Sequence, residues 1–350
     1  MSDEFHLNCQ IPLNDHATVQ MAHGGGGRSM RELIETVFRS AFDGTEAGGP
    51  PHDAAVLPSR EGRLAFTTDS YVVHPLFFPG GDIGRLAVCG TVNDLAMAGA
   101  RPDSLSAGFI LEEGFSLESL RRIVRSMADE ARAAGVRIVT GDTKVVDRGK
   151  GDGVFINTAG VGWIAPGVEI SPARVAPGDA VLISGDLGRH GMAILSVREG
   201  LEFQGALQSD CAPLADLVAA MLATGADVHC LRDLTRGGLA AALNEIALDA
   251  GVGIEVDEAS IPVAEPVAAA CELLGLDPLY AANEGRLAAF VPADAADRVL
   301  QAMQNHPAAV GPARVGTVVA AHPGVVELKN RFGGGRILDF LSGEQMPRIC

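Results

Sequence analysis

Four aspartates in the first half of the sequence are placed so that they could bind a metal ion together. Three of them, Asp53, Asp69 and Asp142, adjoin predicted strand ends, where open α/β sheets place their ligands. Asp94 lies in a predicted helix that is otherwise almost wholly apolar, where an unpaired carboxylate is costly to bury. Converging carboxylates favour Mg²⁺, and Mg²⁺ favours a polyphosphate. The alternative is four unrelated turn or capping residues.

A glycine run and a lysine could act on the same polyphosphate. Gly24, Gly25, Gly26 and Gly27 precede a predicted helix, so their backbone amides could approach phosphate groups. A flexible linker is the commoner meaning of such a run, and no Walker pattern is present. Lys144 could neutralise phosphate charge or, with a lowered pKa, move protons. It could equally be an ordinary surface lysine.

Three further residues are candidates for chemistry in the second half. Glu284 precedes a predicted strand and is either a catalytic carboxylate or part of a turn. Asp233 is predicted to cap a helix rather than to act in catalysis. Cys350 is the last residue of the sequence, and glycines at 333–335 could serve as a hinge that carries a sulfur-bound group into a site. The alternative is an accidental cysteine at a frayed chain end.

The elements that must position these residues alternate between strands and helices, which predicts an α/β or α+β fold with mixed sheets. Ser29 and Glu32 have the spacing of a capping box. Helices are predicted at 83–98, 117–134, 189–199, 213–223, 239–250, 263–274 and 294–305. Strands are predicted at 53–57, 63–69, 104–111, 136–140, 154–164, 180–184, 252–256, 286–291, 314–319 and 325–328.

The predicted elements divide the chain into four parts. An extended lead-in covers 1–22, and a first domain covers 23–165. A second α/β domain covers 172–328 after a proline-containing boundary. Residues 329–350 are predicted to be a mobile tail that carries Cys350.

Composition excludes several classes of function. The 350 residues are 47% apolar and carry a formal net charge of −17, so nucleic acid is a poor partner. Six cysteines form no CxxC pair, so a zinc site is not indicated and a reduced, cytoplasmic protein is expected. The acidic start differs from a signal peptide, and no apolar run is long enough to predict a membrane span.

The motifs together resemble the HypE family of NiFe-hydrogenase maturation factors over nearly the whole chain. The resemblance rests on the residues at 24–28, 67–70, 92–96, 141–144, 283–286 and 347–350. The middle motifs are shared with the wider superfamily of aminoimidazole-ribotide synthetase and selenophosphate synthetase, so they indicate ATP use. The Pro-Arg-Ile-Cys ending distinguishes the HypE family within that superfamily.

The resemblance implies a fold and a set of ligands. The fold would be the two-domain aminoimidazole-ribotide-synthetase-like fold, and the first domain would pair into a homodimer. ATP would bind near the glycine run, with Asn93 and Thr143 in the matching motifs. Mg²⁺ would be held by the four aspartates named above.

The resemblance also implies a reaction and its partners. A HypF-type carbamoyltransferase would load a carbamoyl group onto the sulfur of Cys350. ATP would then drive dehydration of that group to a thiocyanate, and the cyanide would pass to iron on a HypC–HypD complex. Lys144 and Glu284 would be candidates for removing the nitrogen protons.

Two other classes of function remain open from the sequence. A related ATP-using synthetase or kinase would act on a free small molecule and would not need Cys350. A carrier or scaffold would only accept and hand over a group, without ATP hydrolysis. Cys9 lies too far before the glycine run to match the catalytic residue of selenophosphate synthetases.

Overall fold

A computed structural model of the chain describes residues 17–42, 53–201, 207–330, 332 and 334–341. Its strands form a four-stranded sheet, a seven-stranded sheet and a short two-stranded ribbon. Helices cover both sheets, so the predicted two-domain α/β architecture with mixed sheets is confirmed. No helix among the described residues is both long and apolar enough to cross a membrane.

The first sheet is built from strands of the N-terminal half. The strands of this half are β1 (Arg63–Tyr71), β2 (Phe77–Phe78), β3 (Gly81–Asp82), β4 (Ala100–Glu112), β5 (Arg137–Val146) and β6 (Val154–Ile164). The four-stranded sheet has the order β1-β6-β4-β5, and β2 pairs with β3. Only β4 and β5 run parallel among these pairs.

Helices of the N-terminal half cover one face of this sheet. They are α1 (Arg28–Leu33), a π-helical turn (Ile34–Arg39), α2 (Ser40–Phe42), α3 (Ile83–Met97) and α4 (Leu117–Ala133). The Asp82 side chain caps α3 by accepting from the Gly84 nitrogen at 2.7 Å, and Gly99, with φ +75°, lets the chain turn after it. Helix α3 is buried on nearly all sides because it packs on β1, β6 and α4.

The other face of the first sheet is open. Leu64 and Phe66 of β1 are 59% and 69% exposed, and Ile110 of β4 is 44% exposed. Residues at alternate positions of β1 point to opposite faces, and the inward ones are partly or fully buried. The sheet therefore presents apolar side chains to solvent.

The second sheet has seven strands, and helices lie against it. The strands are β7 (Ala180–Ile183), β8 (Cys230–Asp233), β9 (Gly253–Asp257), β10 (Leu287–Val291), β11 (Ala313–Val319), β12 (Val326–Lys329) and β13 (Gly335–Ile337). The helices are α5 (Arg189–Arg198), α6 (Ala215–Leu222), α7 (Gly238–Ala250), α8 (Glu265–Leu274) and α9 (Ala296–Gln304). The sheet order is β13-β12-β9-β11-β7-β10-β8, and every residue of β7 and β10 is buried.

Two local predictions were wrong. Residues 53–57 form no strand. The capping box at Ser29 is absent: α1 begins at Arg28, Gly27 is its N-cap, and no side chain caps it. Within the predicted tail, β13 pairs with β12 and Leu338 is fully buried. Cys350, within 342–350, and Cys9, within 1–16, lie outside the described residues.

Candidate functional site

Helix α3 carries Asp94 into a group of carboxylates between the two domains. Thr67 of β1 donates a hydrogen bond to Asp94 Oδ2 at 2.9 Å. Burial raises the pKa of Asp94, and the hydrogen bond from Thr67 partly offsets this, while the charge of Asp69 raises the pKa further. Two of the predicted metal ligands, Asp69 and Asp94, therefore lie close enough to influence each other.

Glu284 lies in the same region, in the turn before β10. Its side chain is only 3% exposed, and Oε1 has no hydrogen-bond partner among the residues that the structure describes. Burial raises the pKa of Glu284 well above its ordinary value, and Cys211 and Asp233 raise it further. A buried carboxyl group with one oxygen that makes no hydrogen bond within the described chain is well suited to form a hydrogen bond with a ligand or to accept a proton from it.

The turn that carries Glu284 is held rigidly from both sides. Asn283 Oδ1 accepts from the Gly188 nitrogen at 2.7 Å, and its Nδ2 donates to two carbonyls. Arg286 is buried and donates to Asp186 Oδ1 at 2.8 Å. Such locked neighbours keep a catalytic side chain in one geometry.

Asp233 lies at the end of a strand and not at the start of a helix, where it was predicted. It is the last residue of β8, whereas α7 begins at Gly238 with Gly237 as its N-cap, so Asp233 caps no helix. Burial raises the pKa of Asp233 to about 6, and the nearby Asp94 adds to this. We call Asp69, Asp94, Asp233 and Glu284 the interdomain cluster.

Asn93, predicted to bind nucleotide, has its carboxamide engaged across the domain boundary. It is 2% exposed. Its Nδ2 donates to the Ala212 and Glu284 carbonyls, and its Oδ1 accepts from the Leu214 nitrogen. The Asn93 carboxamide is thus engaged in a contact between the domains, and its role in nucleotide binding stays a prediction.

A second group of predicted residues meets at strand β5. The glycine run connects a 3₁₀ turn (Met21–Gly24) to α1. A Cβ on Gly24 would lie 2.9 Å from the Val145 backbone nitrogen, so glycine allows this close approach. The structure thus brings the glycine run next to the strand that carries Asp142, Thr143 and Lys144.

Asp142 and Lys144 form an exposed ion pair on β5, which we call the strand-edge pair. Lys144 Nζ lies 2.7 Å from Asp142 Oδ2, and both side chains are 63% exposed. The hydrogen bond from Lys144 lowers the pKa of Asp142. Thr143 between them is buried, and its backbone N–H donates a hydrogen bond to Asp142 Oδ1.

The four predicted metal ligands are not brought together within one chain. Strand register aligns Ser70 with Asn157, Asn157 with Gly108 and Gly108 with Asp142, so Asp142 shares the open face of the sheet. Asp69, adjacent to Ser70, points to the opposite face. Asp53 lies in an exposed loop. Across all the residues described here, no group of three His, Cys, Asp or Glu side chains is arranged to hold a metal ion.

Sequence reasoning missed two features of the site. Thr67 was noted only as part of a motif, and its hydroxyl binds Asp94. Tyr71 is buried, its hydroxyl lies 3.3 Å from Thr91 Oγ1, and burial raises its pKa well above the ordinary value, with Asp69 adding to the shift. The alternation of β1 places Thr67, Asp69 and Tyr71 on one face, which was the available signal.

The family models that match the chain cover both domains. Residues 51–164 match the N-terminal domain of AIR synthase related proteins, and residues 176–329 match their C-terminal domain. The chain is 56% identical to the carbamoyl dehydratase HypE of Azotobacter vinelandii, which covers 96% of this chain and 98% of that protein. It is 55% identical to the carbamoyl dehydratase HypE of Cupriavidus necator over the full length of both.

Solved structures give the same result. A crystal structure of the hydrogenase maturation protein HypE in complex with ATP superposes with a TM-score of 0.91 at 49% identity, covering 95% of this chain and all of that one. A HypE–HypF complex superposes with a TM-score of 0.78 at 47% identity, covering 88% of this chain and 99% of the matched chain.

Proposed function

The chain belongs to the HypE family of carbamoyl dehydratases, and from this premise we propose how its residues carry out the reaction. ATP drives the dehydration of an S-carbamoyl group on Cys350 to a thiocyanate, which supplies cyanide for the hydrogenase iron centre. The observation that carries our assignment of roles is that Oε1 of buried Glu284 has no hydrogen-bond partner in the described part of the chain.

The reaction has two chemical requirements. The carbamoyl oxygen is a poor leaving group until it accepts the γ-phosphoryl group of ATP, and the nitrogen must lose both of its protons. Phosphoryl transfer depends on positioning and charge neutralisation. The later elimination, in which phosphate leaves and the C≡N bond forms, needs a general base.

Glu284 is the proposed base for the elimination. Its raised pKa makes the carboxylate a stronger proton acceptor than an exposed glutamate, and a base works best with a pKa near the working pH. The free Oε1 provides the acceptor atom. Lys144, the other candidate base, pairs with Asp142 at the surface, so we propose that it neutralises phosphate charge instead.

The phosphate groups of ATP are proposed to bind near the glycine run, with the Thr143 segment of β5 beside it. Mg²⁺ commonly binds through one or two carboxylates and the phosphates, and Asp69 and Asp94 fit that requirement because they lie together. Magnesium bound there would neutralise triphosphate charge. Asp142 faces the other side of the sheet, and Asp53 lies outside the cluster, so we do not extend the proposed metal site to them.

Pairing of two chains through the open face of the first sheet is the proposed homodimer. Exposed Leu64, Phe66 and Ile110 form an apolar surface of the kind that marks protein interfaces. The strand-edge pair lies on the same face. We propose that each ATP site combines the strand-edge pair of one chain with the interdomain cluster of the second. Phe66→Glu should yield monomers in light scattering, whereas Phe332→Glu, an exposed control in the second domain, should leave the dimer intact.

The proposed partners follow from the chemistry of the tail. The complex of a HypE relative with HypF supports a HypF-type carbamoyltransferase as the donor, and a HypC–HypD complex is the proposed acceptor of cyanide. We place the enzyme in the reducing cytoplasm, because Cys350 must stay a free thiol to be loaded. Neither nucleic acid nor a membrane is a proposed partner.

Mass spectrometry of the C-terminal peptide tests the proposed reaction. After incubation with HypF, carbamoyl donor and ATP, carbamoyl-Cys350 should lose the mass of one water. Cys350→Ser should give no modified peptide and no thiocyanate. A Cys350→Ser chain that kept the natural activity would instead indicate an enzyme acting on a free small molecule, and loading without ATP hydrolysis would indicate a carrier.

A further inference from the structure

Asn93 of the first domain forms hydrogen bonds to the turn that carries Glu284 and to the segment beside it. Its Nδ2 lies 3.1 Å from the Ala212 carbonyl oxygen and 3.4 Å from the Glu284 carbonyl oxygen. Its Oδ1 lies 2.7 Å from the Leu214 nitrogen. One carboxamide thus satisfies three backbone groups of the second domain.

The other hydrogen bonds of this turn come from the second domain itself, and Ala282 beside it packs into the core of the first domain. Among the described residues, the Gly285 backbone N–H donates a hydrogen bond to Asp210 Oδ2. The Glu284 carbonyl accepts a long hydrogen bond, of 3.4 Å, from the Ala212 backbone N–H. Arg286 binds Asp186. These bonds fix the shape of the turn but do not join it to the first domain.

The residue after Asn93 is Asp94, a member of the interdomain cluster. In a helix, adjacent residues keep a fixed spacing, and α3 is anchored on most sides by burial. The same helical turn therefore holds the main chain of Glu284 through Asn93 and faces Asp69 through Asp94. Helix α3 therefore links the main chain of the proposed base directly to the carboxylates of the proposed metal site.

We propose that Asn93 is a positioning residue that keeps ATP cleavage coupled to thiocyanate formation, an inference that rests on the function proposed above. After phosphoryl transfer and loss of one nitrogen proton to water, the carbamoyl carbon carries a phosphate on oxygen and a single N–H on nitrogen. Glu284 takes that proton, the C≡N bond forms and the C–O bond breaks with loss of phosphate. If Glu284 is displaced, water takes over: it cleaves off the phosphate and regenerates the carbamoyl group.

The coupling readout separates positioning from general stability. A residue that only stabilises the fold lowers the amount of active enzyme, which reduces ADP and thiocyanate together. A residue that positions Glu284 changes the ratio of ADP formed to thiocyanate formed. Small displacements of reacting groups cost large factors in rate, so the ratio should respond strongly.

Asn244 is a matched control within the same chain. It is a buried asparagine, 4% exposed, whose Nδ2 donates to the Ala240 and Leu338 carbonyls at 2.8 Å each. Both partners belong to the second domain, and neither lies in the turn of Glu284. Asn244→Ala therefore removes a comparable set of hydrogen bonds without touching the proposed coupling.

In the experiment, the purified full-length protein is carbamoylated on Cys350 and mixed with ATP. The ADP and thiocyanate formed are then measured under single-turnover conditions. For Asn93→Ala the ADP-to-thiocyanate ratio should rise on the order of tenfold over wild type. Asn244→Ala should keep the wild-type ratio even if it melts earlier. Asn93→Ser, which keeps one hydroxyl donor, should give a smaller rise and serves if Asn93→Ala does not fold.

Two results would overturn different parts of the account. A wild-type ratio in both Asn93 variants would overturn this inference alone, provided that wild type forms thiocyanate and Glu284→Gln does not. A wild-type enzyme that forms no thiocyanate, or a Glu284→Gln variant with the wild-type rate, would overturn the proposed function itself.

Discussion

Glu284 and Asp142 are two carboxylates whose surroundings are opposite. Glu284 is buried, one of its carboxyl oxygens has no hydrogen-bond partner among the described residues, and burial raises its pKa. Asp142 is exposed, and its bond to Lys144 lowers its pKa. Burial makes the carboxylate of Glu284 a strong proton acceptor, and the bond to Lys144 keeps Asp142 charged, so each suits a different part of one reaction.

The difference shows how a single chain can assign neutralisation of phosphate charge and proton transfer to different residues. An exposed ion pair is solvated and can exchange partners with a phosphate at little cost. A buried carboxyl exchanges protons because the protein penalises its charge. Asp142 lies on the open face of the first sheet, whereas Glu284 lies beside Asn93 of α3, which packs on the covered face.

The largest expected effect comes from removing the buried carboxylate. Glu284→Gln keeps the shape of the side chain but removes the base, so thiocyanate formation should fall roughly 10²- to 10⁴-fold. The measurement is the single-turnover rate with carbamoylated protein. Glu255→Gln, a surface glutamate paired with Lys329, should keep the wild-type rate. Equal rates for both variants would remove Glu284 from the chemistry.

Removing the exposed cation should affect activity less and stability hardly at all. Lys144→Ala loses a solvated ion pair, so the free energy of unfolding should change by about 0.5 kcal/mol or less. The rate of ADP formation should still fall on the order of 10- to 100-fold, because phosphate charge is less well neutralised. A loss of activity that merely tracks a lower melting temperature would contradict this role.

Mixing the two inactive chains tests whether one site draws on two copies. Lys144 and Glu284 lie on opposite faces, so a mixed dimer of Lys144→Ala and Glu284→Gln chains should contain one intact site. Random pairing should restore roughly a quarter of wild-type activity if dimers are two-fold symmetric. Mixed dimers as inactive as either parent would mean that both residues serve the same chain's site.

A different kind of effect, on the free energy of unfolding, depends on pH. The pKa of Asp233 is raised to about 6, so the native state holds this proton more tightly than the unfolded chain. Stability is therefore lost as pH rises from the unfolded pKa to about 6, and Asp233→Asn should avoid a penalty of about 3 kcal/mol above that pH. The gain should vanish near pH 4. Denaturant melts in the presence of a chelator measure it.

Asp142→Asn provides the contrast of opposite sign. The pKa of Asp142 is lowered, so its contribution is present above the unfolded pKa and lost as pH falls. Its stability difference from wild type should be small at neutral pH and should disappear in acid. A gain for Asp142→Asn at neutral pH, or none for Asp233→Asn, would contradict the comparison.

The sequence predicted the elements of the fold better than it predicted the site. Helices α3 and α4 lie within one residue of the predicted ranges 83–98 and 117–134, because local periodicity and end signals determine them. The contact of Asn93 with Glu284 joins residues 191 positions apart, and no local pattern reveals it. Asp233 was misassigned because a polar residue before a helix predicts a cap, whereas β8 continues through it.

The metal ligands show the same limit. Asp69 and Asp142 both adjoin polar motifs on strands, and spacing along the chain gives no information about faces. Only the register across β6 and β4 shows that they point in opposite directions. Sheet pairing, which depends on contacts distant in sequence, decided which predicted residues could act together.

The most direct test of this separation of roles is rapid quenching of carbamoylated Glu284→Gln after mixing with ATP. The account predicts a burst of ADP equal to the carbamoylated chains, with thiocyanate formed far more slowly. If ADP and thiocyanate were both suppressed to the same degree, Glu284 would be needed for phosphoryl transfer, and the separation of the two carboxylates into two roles would be contradicted.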